Sequence, residues 1–348
     1  MANTQRFPSL KKRWIFLIIF VLIINFYQLP YYFTKPGDAK VLHTVIEVEG
    51  GFEDKGTFML TTVRMGPANI INYAWAKMSD ARELIHKDFV RRSGETDEEY
   101  HHRQLMMMST SQDMATIVAY NKAGKEAYYT NFGVIVTGTI EQMPAFGLLE
   151  LGDLIVAVDQ REITTVDELL AQIGDKQKDA EVSITIVREG VKKDVELYVT
   201  SFPEDLDPSG ERVGIGITSP VTKRELSVNP DIFIDTNKIG GPSAGLMFSL
   251  EIYNQLIQED ITKGYQIAGT GTINEDGEVG RIGGIKQKVI AAERAGADYF
   301  FAPNEFDSPT SNYIDAVEAA ESIKAKMKII PIDTFDQAIE FLGSLDPK

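Results

Sequence analysis

Twenty-one consecutive residues, Trp14 to Thr34, carry no charge, and Trp14 to Ile24 are apolar throughout. A run of that kind has few places to go. As a helix it would be about 31 Å long, close to the ~30 Å hydrocarbon core of a bilayer. Trp14, Tyr27, Tyr31 and Tyr32 stand near its ends, where amphipathic rings favour the membrane interface. Arg6, Lys11, Lys12 and Arg13 precede it with no acid among them. The positive-inside bias therefore predicts a cytoplasmic segment 1–13, a transmembrane helix over 14–34, and residues 35–348 outside the cell membrane. A cleaved signal peptide would show a shorter apolar region and small residues at the cut. Here aromatic residues and Pro30 follow, and Gly37-Asp38-Ala39 is a poor site.

The 348 residues carry a net charge of −16, from 35 basic and 51 acidic side chains. The first 34 residues hold +4, which leaves −20 for the remainder. A body that acidic excludes general nucleic-acid binding, because phosphate contacts need basic surface. With no cysteine, a disulfide framework, a cysteine nucleophile, a zinc finger and a cysteine-ligated cluster are excluded too. The length predicts about two domains.

Residues 35–125 form an N-terminal segment. Alternation on either side of Gly50-Gly51 predicts a hairpin over 43–64. Helical patterns follow near 69–90 and 96–121, the second opening on a Thr96-x-x-Glu99 capping box. Met106, Met107, Met108 and Met114 read as a helix packing face rather than a peptide-gripping surface. The adjacent His101 and His102 point apart on a helix and lack metal-site spacing, so they read as solvated.

Residues 126–200 are β-rich: Phe132–Val136 and Leu151–Asp159 read as strands, and a short helix follows over 164–173. A terminal hairpin turns at Glu189-Gly190. This stretch resembles a PDZ domain of the bacterial protease-associated kind, on the residues FGVIV, Pro144-Ala145 and LELGDLIVAVD. The resemblance implies an extended peptide added as a strand, its terminal carboxylate received near Phe132, Gly133, Val134 and Ile135. Residues 201–212 read as a connector, and 213–348 alternate strands and helices.

Two motifs in the last stretch carry chemistry. Gly240-Gly241-Pro242-Ser243-Ala244-Gly245 places Ser243 at the start of a helix, where unpaired amides and the dipole can stabilise an oxyanion. Taken alone, it reads equally well as a plain helix cap. Gly283-Gly284-Ile285-Lys286-Gln287-Lys288 opens a second helix, with Gly296 as its stop. Lys288 shares a face with Ala291, Ala292 and Ala295, whereas Lys286 falls with Glu293. A lysine buried among small apolar residues loses its proton readily and can act as base for a serine. The spacing leans to Lys288 without deciding.

Together these motifs, with the stretch Ala268–Gly271 and AAERAGADYFFAP, resemble the Lon (endopeptidase La) proteolytic domain. The resemblance implies a Ser243–Lys288 dyad, with Thr270 orienting the lysine and Gly241, Pro242 and Ala244 forming the supporting oxyanion loop. Two positions depart from it: Gly240 and Thr272 stand where many members carry acids. No Gly-x4-Gly-Lys-Ser/Thr phosphate loop occurs, so the expectation is a protease that does not use ATP, with no cofactor and no metal. The order anchor, PDZ, Lon-type domain resembles the membrane-anchored PDZ-containing Lon-like proteases of Gram-positive bacteria. That resemblance implies that the PDZ is inserted in a protease domain to which 43–64 also belong. It also implies peptide or protein-segment substrates at the outer membrane face, and a homo-oligomeric ring.

The expected fold class is therefore α+β, with one transmembrane helix. The competing reading is a non-catalytic membrane tether with a vestigial protease fold. A trypsin-like triad is excluded, since no histidine follows His102.

Overall fold

The computed structural model describes residues 14, 15, 17, 24–92, 95–236 and 239–348. The chain divides into two units, the first from Met1–Glu126 together with Val228–Lys348, the second Ala127–Ser227.

The principal elements of the first unit are β1 (Gln28–Val41), β2 (Ile46–Val48), β3 (Thr57–Asn69), α1 (Ile70–Lys77), β4 (Glu83–His86) and α2 (Asp97–Lys122). After the second unit come β5 (Ile232–Ile234), α3 (Gly245–Leu256), β6 (Gln266–Gly269) and α4 (Ile285–Ala295). The unit ends with β7 (Tyr299–Pro303), α5 (Asn312–Ser322), β8 (Lys328–Ile332) and α6 (Phe335–Gly343). Six strands make one mixed sheet in the order β8-β7-β6-β3-β1-β4. β3, β6, β7 and β8 run parallel, and β1 pairs antiparallel with both β3 and β4. The parallel strands read as short apolar runs because both faces are covered. Phe58, Leu60, Ile267, Phe300 and Phe301 are buried in them, and truncating one such phenylalanine would remove about 3–5 kcal/mol of stability. α4 packs on β1 and β3, and α2 lies along α3.

Four sequence expectations need correction here. Residues 28–34, expected at the end of a transmembrane helix, are the first half of β1, paired with β3 and β4. Pro30 lacks the N–H that a helix interior needs, and Tyr31-Tyr32-Phe33-Thr34 are strand-formers that a neighbouring edge can recruit. Among the described residues no helix is long and apolar enough to cross a membrane. Residues 16 and 18–23 of the expected span lie outside the described ones. The uncharged stretch ahead of β1, 14–27, would be only about 21 Å long as a helix.

The predicted hairpin over 43–64 does not form either. β2 pairs with β5, and β3 pairs with β1 and β6. Local alternation fixes which faces are buried, but partner choice is a long-range decision. The helical stretch at 69–90 is α1 followed by β4 and one short helical turn, Lys87–Val90. α2 does start on the expected reciprocal capping box of Thr96 and Glu99.

The second unit contains a sheet in the order 221–229, 126–135, 154–158, 181–188, 191–198. Helix Val166–Gly174 starts on a Thr165–Glu168 capping box, and Val134, Ile155, Ile184 and Ile186 lie in its core. The turn Glu189-Gly190 has positive φ at both residues, as a tight hairpin requires. Residues 201–212 are no linker: Thr200–Ser201 pairs with Val213–Gly214 around them. Ile215 sits in this core, so the unit extends past residue 200 to Ser227.

Candidate active site

The loop that leads into α3 is shaped by what lies beneath it. A Cβ on Gly240 would come within 2.8 Å of Gln104 Cβ on α2. Gly241 adopts φ +92° and donates its N–H to Gln104 O at 2.8 Å, a conformation that L side chains resist. Ser111 Oγ, also on α2, donates to Pro242 O at 3.0 Å. The Ser243 carbonyl accepts from Gly271 N at 2.9 Å and from Thr270 Oγ1 at 2.8 Å. The serine is therefore clamped between α2 and the end of β6, one residue before the N-cap Ala244.

Lys288 reaches the same point from α4. Gly284 supplies the left-handed N-cap of that helix, with φ +71° and Val63 2.8 Å from where a Cβ would stand. One turn later Lys288 is 3% exposed, its Nζ 2.6 Å from Ser243 Oγ and 2.8 Å from Thr270 Oγ1. Burial disfavours its ammonium form and pulls its pKa down to about 7. The Thr270 hydroxyl proton is already committed to Ser243 O, so its oxygen receives an N–H of the lysine. In the neutral amine this leaves a second N–H and the lone pair, so the lone pair is free to accept the Ser243 Oγ proton.

A groove of about 470 Å³ opens on this pair, lined by Ser243 and Lys288 and by the apolar side chains of Leu60, Val63, Ile85 and Met108. Thr61–Met65 of β3 run along it. β6 pairs with β3 only over Thr57–Leu60, so among the described residues no strand occupies that edge of β3 beyond Leu60.

The sequence-derived residues thus separate. Ser243, Thr270 and Lys288 converge. Lys286 is exposed, and Glu293 accepts from the Lys326 and Met327 amides instead of pairing with it. Of the oxyanion loop, Pro242 has no N–H and that of Gly241 is engaged by Gln104 O, which leaves Ser243 and Ala244 as backbone donors. Gln104 and Ser111 were not legible as site residues, and Met108, read as part of a helix packing face, lines the groove. Their spacing on α2 placed them on one face, but only the packing of α2 on α3 shows what that face meets. Met106 and Met107 are exposed, as are His101 and His102. Among the described residues no cluster of three or more His, Cys, Asp or Glu could hold a metal.

In the second unit two of the residues expected to receive a peptide, Val134 and Ile135, lie inside the sheet, while Phe132 is exposed. Val134 and Ile135 pair with Ile155 and Leu154, and Val134 is fully buried. The open groove is elsewhere, about 630 Å³ between Leu169, Leu170 and Ile173 of the helix and the segment Val213–Ile217. The alternation Gly214-Ile215-Gly216-Ile217 was the available signal, hidden behind the apparent connector.

A sequence model of the Lon protease (S16) C-terminal proteolytic domain matches residues 235–343, and one of the PDZ domain matches 104–199. The second match begins inside α2, whereas the compact unit begins at Ala127. The Lon protease of Aster yellows witches'-broom phytoplasma (strain AYWB) is 37% identical over 101 residues, 28% of this chain and 12% of that protein. The Lon protease of Clostridioides difficile (strain 630) is 28% identical over 156 residues, 42% of this chain and 19% of its own. This chain thus spans less than a fifth of the length of either relative. The PDZ domain of an SdrC-like protein from Listeria monocytogenes is 26% identical, covering 26% of this chain and 88% of that domain, with a TM-score of 0.23. The chain carries a Lon-type proteolytic domain and a PDZ domain.

Proposed function

We propose that the protein is a serine endopeptidase working through a Ser243–Lys288 dyad, independent of ATP, on peptides or exposed protein segments at the outer face of a membrane. The carrying observation is the buried Lys288 Nζ 2.6 Å from Ser243 Oγ, at a place where burial disfavours the ammonium form. Ser243 Oγ attacks the scissile carbonyl carbon while its proton passes to Lys288 Nζ. The oxyanion draws on the Ser243 and Ala244 amides beside the first turn of α3. The ammonium then protonates the leaving amine, and an acyl ester remains on Ser243. Lys288, neutral again, takes a proton from the water that attacks the ester and returns it to Ser243 Oγ as the acyl C–O bond breaks.

The free edge of β3 along Thr62–Met65 suits an extended substrate segment, added as a strand beside the nucleophile. The groove in the PDZ unit is the second place for an extended peptide, with Leu169, Leu170 and Ile173 as its apolar wall. Independence from ATP rests on the missing phosphate loop in this sequence. Membrane attachment rests on the uncharged stretch from Trp14 and the Lys11-Lys12-Arg13 cluster before it, whose long side chains can snorkel and extend a short span. A homo-oligomeric ring remains part of the proposal, carried by the Lon-type domain alone.

The test is cleavage of a fluorogenic peptide library by the purified protein with and without ATP. Wild type cuts equally well in both, and Ser243→Ala and Lys288→Ala each lose the activity. Full activity in either variant sinks the dyad, and dependence on ATP sinks that part of the reading.

A further inference from the structure

The first unit carries an apolar surface that the peptidase site does not use, and it lies where the uncharged N-terminal stretch arrives. Asn69 caps α1 by accepting from Asn72 N at 2.8 Å. The same side chain donates to Asn25 O at 3.0 Å, one residue past the apolar run Trp14–Ile24. From that junction α1 and the turn after β4 display large apolar groups to solvent: Ile71 is 48% exposed, Trp75 56%, and Met78 and Phe89 87% each. Isolated exposed apolar residues are ordinary, but a bulky set on neighbouring elements marks an interaction surface.

Charge identifies the occupant. The chain as a whole is strongly acidic, yet residues 70–92 hold five basic side chains, Lys77, Arg82, Lys87, Arg91 and Arg92, against three acids. The Arg82 guanidinium lies 3.7 Å over the Trp75 ring. Lys87, Arg91 and Arg92 line a cavity of about 670 Å³ together with Tyr31, Tyr32 and the two acids Asp88 and Glu95, and Arg91 is paired with Asp97. A tryptophan backed by arginine, beside exposed aliphatic side chains, a tyrosine-lined cavity and the surface cations Lys77, Lys87 and Arg92, has the chemistry of a headgroup–acyl boundary.

We infer that α1 and the 78–92 segment dock onto the surface of a bilayer bearing anionic phospholipid headgroups. Ile71, Trp75, Met78 and Phe89 enter the interface, and Lys77, Lys87 and Arg92 meet the phosphates. The inference rests on the membrane attachment proposed above and adds a second, peripheral contact to it. That contact holds the first unit against the membrane rather than leaving it free on its N-terminal tether.

The chain has two tryptophans, Trp14 and Trp75, so Trp14→Phe makes Trp75 the only reporter. The full-length variant is reconstituted into phosphatidylcholine–phosphatidylglycerol vesicles with plain or brominated acyl chains. Brominated lipid is expected to quench more than half of the Trp75 emission and the bilayer to shield it from acrylamide. Adding Ile71→Ser and Met78→Ser should at least halve the quenching, as should vesicles of phosphatidylcholine alone. Trp75 emission that is equal in plain and brominated vesicles overturns the docking surface. Shielding from acrylamide without lipid quenching means that a second copy covers the face, which overturns it as well. Protein that fails to float with the vesicles overturns the attachment itself, and with it the surface. Cleavage assayed on the same samples reports the peptidase separately.

Discussion

Lys288 and Glu251 lie in the same unit, 3% and 1% exposed, and burial drives both toward neutrality, to pKa values of about 7 and about 8. Their surroundings differ. Lys288 meets two hydroxyl groups and lines an open groove. Glu251 accepts one hydrogen bond from Gln255 Nε2 at 2.7 Å, its other oxygen has no partner, and Asp54 and Asp260 raise its pKa further. It lines none of the grooves described. A perturbed ionisable group therefore reports burial. Chemistry also requires a nucleophile within reach and a way in for substrate.

Substitutions at the two places should separate them. The largest effect is on cleavage: Ser243→Ala or Lys288→Ala is expected to lower kcat/KM at least about 10³-fold, whereas Glu251→Gln stays within about twofold. A similar loss in Glu251→Gln would erase the distinction. Next is pH. Because the reacting form of Lys288 is the free amine, kcat/KM should rise about tenfold per pH unit below its pKa of about 7 and level off above. A rate that is flat from pH 5 to 8 contradicts a neutral lysine base. Thr270→Val should cost about 1–3 kcal/mol, roughly five- to 150-fold in rate. It should also move the acidic limb to lower pH, since the ammonium loses an acceptor, while Thr270→Ser restores both. An unmoved limb would make Thr270 merely structural.

The smallest effects are on stability, and they run in opposite directions with pH. Lys288 takes a proton more readily unfolded than folded, so its destabilisation is fully present below about pH 7 and fades toward the ordinary lysine pKa of 10.5. Lys288→Met should thus raise the unfolding midpoint most below about pH 7 and little near pH 10. Glu251 gives up its proton more readily unfolded. Its destabilisation is absent below its ordinary pKa of 4.5 and grows up to about pH 8. Thermal unfolding of Glu251→Gln should match wild type near pH 4 and exceed it at pH 8. Parallel pH trends in the two variants would contradict burial as the common cause.

Much of the local structure was legible because its causes are local. The Thr96–Glu99 box, the Gly296 stop and the Glu189-Gly190 turn depend on neighbours a few residues apart. The alanine face of α4 leaned toward Lys288 over Lys286 for the same reason, without deciding between them. The hairpin at 43–64 and the helix over 28–34 failed because strand partners arrive from far along the chain: β5 for β2, and β3 and β4 for β1. Gln104 and Ser111 brace the serine loop from over 130 residues away, and nothing near them in sequence announces it.

The sequence by itself determined which side chains could do chemistry: a serine at a helix start, a lysine among alanines, and a body without cysteine. Motifs and helical period are written into consecutive residues. Only the tertiary structure decided that Ser243, Thr270 and Lys288 meet and where the open grooves lie. Those depend on loop closure and packing between distant segments, and burial, which sets the lysine's proton, exists only once they have assembled.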